Sequence, residues 1–246
     1  MRLILINKRD NRFTMITKQR NTMQKKRVFV SAGVLLGMLF FASCTSKPQK
    51  STDIDGNSYT VVKMGSMHWT GENLDVAHYR NGDIIPEIKD PAVWTKLTTG
   101  AWCYNGNDAE NGKIYGKLYN WYAVNDPRGL APAGWHVATD AEWSELGTLL
   151  GGTEKAGGAM KATSHWKEQS AGSNKSSGFN ALPAGARRDT DGEFMAPGGY
   201  SRFWSSTELT AKTVRVSAIG YFDAVFRQGK AGKNNAFSVR CVKDKD

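Results

Sequence analysis

The stretch from Gly134 to Gly152, GWHVATDAEWSELGTLLGG, constrains the fold more than any other. Trp135 and Val137 alternate with His136 as in a half-buried strand. Thr139 can accept the free N–H groups of a helix start, and Glu142, three residues on, can reach back to complete a capping box. Trp143, Leu146 and Leu150 follow at i, i+3 and i+7, one stripe that must face a core. Gly151-Gly152 supplies a left-handed stop. Each of these residues has a structural cause, so the segment is framework. His136 is its one candidate general base, and no serine or cysteine nucleophile in a recognisable setting accompanies it.

The net charge of +10 suggests a nucleic-acid partner until the charge is located. Residues 1–44 carry nine Lys/Arg against one acid, and the remainder carries 24 against 22. The basic character thus belongs to the N-terminal segment, and the rest gives no electrostatic case for binding a phosphate backbone. Within that segment, Lys25 to Arg27 precede an apolar run from Val28 to Phe41 and then Ala42-Ser43-Cys44. The run is about 14 residues, ~21 Å as a helix, short for ~30 Å of hydrocarbon. This is the order of a secretory signal. Small residues before a cysteine resemble a bacterial lipobox, although Phe41 stands where leucine is usual, and the expectation is a lipid on Cys44. An uncleaved N-terminal anchor is the alternative. Met23 sits where such a signal would start.

Thr45 to Thr52 is polar and reads as a flexible tether. From Asp53 onward no second linker interrupts the chain, which predicts one domain over 53–244. Glycine-rich turns and eight scattered tryptophans favour a loop-rich α+β fold, with two or more helices packed on small antiparallel sheets. Asp55-Gly56 marks a turn into a strand carrying Tyr59, Val61 and Met64, with a hairpin that buries Trp69. Asp53, Asp55 and Asn57 have calcium-loop spacing, but the twelfth position is Met64, and turn chemistry explains them better. Asn105-Gly106 and Asn111-Gly112 mark further turns. Tyr115, Leu118 and Tyr122, with Tyr119 beside them, predict an amphipathic helix whose aromatic face packs in the core or meets sugars. Thr153 to Thr163 predicts a weaker helix, Asp191-Gly192 a hairpin turn, and the alternation through Val214, Val216, Val225, Phe237, Val239 and Cys241 a set of strands ending the chain. Four scattered histidines and the absence of a Cys-x-x-Cys give no zinc spacing. Cys103 and Cys241 allow one disulfide, which spacing alone leaves open.

The blocks DIDGNSYTVVKMG, ENL, YGKLYNWYAVND, GWHVATDAEW, SSGFNALPAGARRDTDGEF, FWSSTE and FSVRCVKD, in that order, resemble the Fibrobacter succinogenes major paralogous domain of exported proteins in Bacteroidetes and related bacteria. The family often has Cys-Pro where this chain has Ala131-Pro132, and usually proline at Ala138. If the family cysteine pairs with the one matching Cys241, that bridge is lost here and Cys103 is the only internal partner left. The resemblance implies a scaffold similar to C-type-lectin-like and formylglycine-generating-enzyme folds. It carries no activity with it. The lectin calcium triplets and the enzyme's pair of reactive cysteines are absent.

The resulting expectation is a lipid-anchored protein of the cell envelope, held in the outer membrane with either face exposed. It would carry a non-catalytic module that binds glycan or protein and needs no cofactor, with calcium left open. A structural or assembly lipoprotein is the alternative, and an enzyme on the same scaffold a third reading. In lectin-like folds the ligand face lies in the long-loop region, here roughly Ser173 to Glu208. Arg187, Arg188, Tyr200 and Arg202 are the expected exposed binding set. Trp204 reads as core.

Overall fold

The chain divides into two units, Met1–Thr45 and Ser46–Asp246. The computed structural model describes residues 48–167 and 177–245 of the second. The first unit, with Cys44 and the signal-like run, lies outside the described residues, as does the start of the long-loop region at Ser173. In chain order the elements are β1 (Lys50–Thr52), β2 (Ser58–Met64), β3 (Met67–Thr70), α1 (Pro91–Trp94), β4 (Trp102–Cys103), α2 (Ala109–Tyr115), β5 (Leu118–Tyr119), α3 (Trp121–Val124) and β6 (Trp135–Val137). Then come α4 (Asp140–Leu149), α5 (Thr153–Met160), β7 (Ala186–Arg187), β8 (Phe194–Met195), β9 (Tyr200–Glu208), β10 (Thr213–Gly220), β11 (Phe226–Gly232) and β12 (Cys241–Lys243). The architecture is α+β, with short helices set among small, mainly antiparallel sheets.

The largest sheet has the order β1-β2-β3-β12-β6, so the last strand lies inside it, between an early hairpin and the strand that feeds α4. Lys50–Thr52 were expected in the tether but pair with Ser58–Thr60. The cause is the turn between them. Asp53 accepts from the N–H groups of Asp55 and Asn57 through one carboxylate oxygen, and from the Asn57 amide and Tyr59 hydroxyl through the other. The spacing that resembled a calcium loop is spent on closing this turn.

The α4 segment forms as its sequence predicts. Thr139 accepts from the Glu142 N–H and the Glu142 carboxylate accepts from the Thr139 N–H, a complete capping box. Trp143 and Leu146 are fully buried. Leu150 is half-buried and is the C-cap rather than a third core position. In α5, Gly157 lies so close to the chain entering β11 that a Cβ there would sit 2.6 Å from the Val225 carbonyl oxygen.

The aromatic helix does not form. α2 stops at Tyr115 because Gly116 takes φ 72°. The chain continues as β5, and Asn120 then caps α3 by accepting from the Ala123 N–H. Asn111-Gly112 lies inside α2 rather than in a turn; the missing side chain at Gly112 leaves room for the Tyr104 ring. Tyr115, Leu118 and Tyr119 are nevertheless buried. The periodicity marked three of its four core residues correctly and the element wrongly: Tyr122 is only half-buried, on α3, and a helix end followed by a strand buries the other three.

Two arginines act as interior staples. Arg240 is fully buried, and its guanidinium donates to Asn73 Oδ1 and to the carbonyls of Thr70, Phe179 and Asn180. It also lies over the Phe179 ring at 4.5 Å. Its hydrogen-bond acceptors are all neutral, so its charge is spread over backbone dipoles, and burial pushes its pKa down.

Candidate functional site

β9 alternates strictly. Ser201, Phe203 and Ser205 are buried on one side, where Phe203 stacks on Trp143 of α4 at 5.1 Å. Tyr200, Arg202 and Trp204 take the other side. Trp204 is fully buried against Phe237 at 4.5 Å, the core residue that its motif suggested. Tyr200 and Arg202, nearer the strand's start, are only half-buried.

Across the sheet, Arg202 pairs with Ala218 of β10, Ala218 pairs with Arg227 of β11, and Tyr200 pairs with Gly220. Paired residues point to one face, so two arginines flank one small alanine. At the turn end, the Phe222 ring covers Gly220, where a Cβ would lie 2.7 Å from the ring. Phe222 is 46% exposed and meets Tyr200 edge-on at 5.9 Å. The Arg227 guanidinium lies over Phe222 at 5.1 Å, and that of Arg202 over Tyr200 at 5.4 Å. The result is a cradle, floored by Ala218 and walled by Arg202, Tyr200, Arg227 and the Phe222 ring that lies on Gly220.

The two cations are not equivalent. Arg227 holds the Asp223 carboxylate with two nitrogens, which keeps Asp223 below the usual carboxylate range. The Arg202 guanidinium makes no hydrogen bond or ion pair among the described residues, and its Nε is buried without a partner. Burial lowers its pKa. The cradle therefore carries one uncompensated positive charge beside two aromatic rings. Phe222 and Arg227 were not among the expected residues. The signal was present in GYFDAVFR, a turn holding an apolar ring that no hydrophobic period requires.

The other expected binding residues part company. Arg187 was expected in the exposed set but is fully buried. Its guanidinium donates to the carbonyls of Gly192, Ile88 and Lys89, each at 2.7 Å, and lies between the Trp94 and Phe194 rings. It is a second interior staple, fixing the β7–β8 hairpin, whose turn at Asp191-Gly192 forms as expected. Arg188 is exposed, but it pairs with Asp191 on that hairpin, apart from the cradle residues.

Cys103 and Cys241 are free and buried, with no disulfide between them. They lie in different core clusters, whereas Ala131 shares the cluster of Cys241. Burial pushes the Cys103 thiol up to about 12 and the Cys241 thiol higher still. Neither is a nucleophile at neutral pH.

His136 projects from β6 away from the buried Trp135 and Val137. Its Nε2 meets Glu142 at 2.8 Å and its Nδ1 meets Asp244 at 2.7 Å. Glu142, then Asp244, hold its pKa up to about 9 against the opposing effect of burial. A histidine that stays protonated at neutral pH is a fixed cation, tying β6, α4 and the chain end together, and a poor base. The aromatic stretch that the sequence offered as a sugar-binding face places Trp121 and Tyr122 on α3, where they line a cavity of about 230 Å³ with Thr98, Thr99, Asn125 and Arg128. Arg128 is already engaged there by Asp126 and Asp83. No group of three or more metal-ligating side chains occurs among the described residues, and no helix there is long and apolar enough to cross a membrane.

An α+β domain of small, antiparallel sheets, with Arg187 and Arg240 buried as interior staples, defines the class. The chain belongs to the Fibrobacter succinogenes major domain family, whose model matches residues 62–243. No curated protein and no solved structure gives a significant match.

Proposed function

We propose that this is a lipid-anchored protein of the cell envelope whose domain is a non-catalytic, C-type-lectin-like module that binds a glycan or protein ligand. The observation that carries the reading is the cradle on β9–β11, a half-exposed cation–aromatic surface that no structural need explains. Its arginine Arg202 lacks the carbonyl ligands that account for Arg187 and Arg240. The lectin-like assignment is supported by the succession of a strand, a Thr139-capped helix, a loop-rich stretch and a final strand that starts at Cys241, directly after Arg240. The non-catalytic assignment is supported by two buried thiols and a histidine held protonated. Lipid anchoring at Cys44, and with it an outer-membrane location, rests on the signal-like residues before it.

Glycan and protein arrays probed with the full-length chain, with and without calcium, test the binding reading. The Tyr200→Ala and Phe222→Ala variants should lose the signal while Arg188→Gln keeps it. Signals indifferent to all three variants would remove the cradle from the function. Mass spectrometry of the chain expressed in a lipoprotein-processing host tests the anchor: an acylated Cys44 at the N-terminus is expected, and an intact, unacylated chain overturns it. The assembly reading has one observation in its favour. Ile54, 52% exposed, lines a cavity of about 250 Å³ with Val76, His78 and Leu130, and Ile84, 71% exposed, bridges to His78. It gains if Ile54→Ser with Ile84→Ser abolishes co-assembly in the envelope and leaves array binding intact.

A further inference from the structure

The cradle's chemistry narrows the ligand, if the binding reading holds. We infer that it takes a sugar ring bearing a carboxylate, with the ring against Phe222 and Tyr200 and the carboxylate on Arg202.

Three features support this. The first is charge. Arg227 is already neutralised by Asp223, whereas the Arg202 guanidinium has no acid beside it: its Nε is buried, and its two Nη nitrogens, without a hydrogen-bond partner among the described residues, are the donors left for a ligand. A guanidinium fork with unspent donors favours a planar carboxylate, which it can grip with two nitrogens. The second is shape. Ala218 leaves a low floor between the arginines, and the Phe222 ring, seated on Gly220, rises at one end. A flat ring with an apolar face and a charged substituent fits such a step. The third feature separates a sugar from a peptide. β9 is bonded on both sides, to β10 and, through Trp204 and Arg202, to Ser238. Its backbone offers no free edge for a peptide strand beside Arg202; the sheet's edge strand is β11, with β10 between it and β9, so contact with Arg202 rests on side chains alone.

The pre-organisation is also specific. Arg202 is held between the Tyr200 and Phe237 rings, at 5.4 and 5.7 Å. It loses little freedom when a ligand arrives, so its contribution appears as affinity.

The test uses the full-length chain in mild detergent and calorimetric titration with four probes: oligogalacturonate, its methyl ester, a neutral galactan of similar length, and an acidic peptide of glutamates. Oligogalacturonate should bind, more weakly at high salt. Arg202→Gln should weaken it about ten-fold or more. Phe222→Ala, at an exposed site that threatens folding little, should also weaken it. Arg188→Gln should not, and unchanged melting temperatures identify folded variants. Ester or galactan binding as tightly as the acid, with dependence on Phe222, would overturn the carboxylate while leaving the binding reading intact. Tighter binding of the peptide than of the acidic sugar would overturn the ligand class. If no probe binds in a way that depends on Arg202 or Phe222, the inference falls, and the arrays above then decide separately whether the cradle binds anything.

Discussion

Replacing Gly157 with alanine should destabilise the domain, although helix propensity says the reverse. In an unencumbered helix the change gains up to about 1 kcal/mol. Here the added Cβ would sit 2.6 Å from the Val225 carbonyl oxygen and 2.7 Å from that of Ala224. Both obstacles are backbone, in the segment that leads into β11 and is held by the β10–β11 ladder. They cannot rotate away as a side chain could. Relieving the overlap requires α5 or that segment to move, at about 1–3 kcal/mol for an overpacked site. The movement also stretches the hydrogen bond from Gly158 N–H to the Ala224 carbonyl, 3.1 Å long, worth about 1 kcal/mol. The net expectation is a loss of about 1–3 kcal/mol. Urea unfolding followed by tryptophan fluorescence reads it directly, because Trp69 and Trp143 share a core cluster with Ala156 and Met160 of α5. With a slope of about 2 kcal/mol per molar urea, the midpoint should fall by roughly 0.5–1.5 M. Gly199→Ala is the control: no atom lies within 4 Å of its Cβ position, so its effect should stay within about 0.5 kcal/mol. A Gly157→Ala protein as stable as the parent, or more so, would refute the close approach of α5 to β11.

Four further outcomes are expected. Leu146→Ala should cost about 2–5 kcal/mol, because Leu146 is fully buried in that same cluster, and Thr139→Ala about 1 kcal/mol through the lost cap, both read by the same unfolding assay. Arg240→Ala should cost at least about 3 kcal/mol, since it removes the partner of four acceptors, three of them in buried hydrogen bonds; a folded, fully stable variant would contradict the staple. His136 should add stability below its unfolded pKa of about 6.5 and lose it as the pH rises through about 9, by roughly 1 kcal/mol once solvent screening of a 38% exposed side chain is allowed for, so the stability gap between parent and His136→Gln should close between those values. Cys103 and Cys241 should resist thiol reagents in the folded protein and titrate as two free thiols when it is unfolded without reductant; one bridge in place of two thiols would contradict the structure.

Local chemistry was the legible part of the sequence. The Thr139 capping box, the turn at Asp55-Gly56, the buried Trp69 and the terminal strand each follow from residues within a few positions of one another. What misled was periodicity without its terminators. Tyr115, Leu118 and Tyr122 fit a helix until Gly116, which adopts a conformation no helix holds, is given its weight. The binding set suffered from a different blindness. Arg187 and Arg202 look alike in sequence, fifteen positions apart. Only the fold shows that three carbonyls surround the first and none the second. Phe222 and Arg227 escaped notice because their role depends on β10 and β11 folding back beside β9. That register is set by pairing over the whole hairpin and by no motif.

The inserted position of β12 has a consequence for how such a chain is made. Synthesis runs from the N-terminus, so β3 and β6 are complete long before the strand that joins them. Until residues 241–243 arrive, each presents an unfilled edge, and the carbonyls that Arg240 will satisfy stay open to water. The sheet therefore cannot close until the last residues of the chain are made. A product truncated by even its last half-dozen residues would lack the strand that closes the sheet and would remain open to proteolysis.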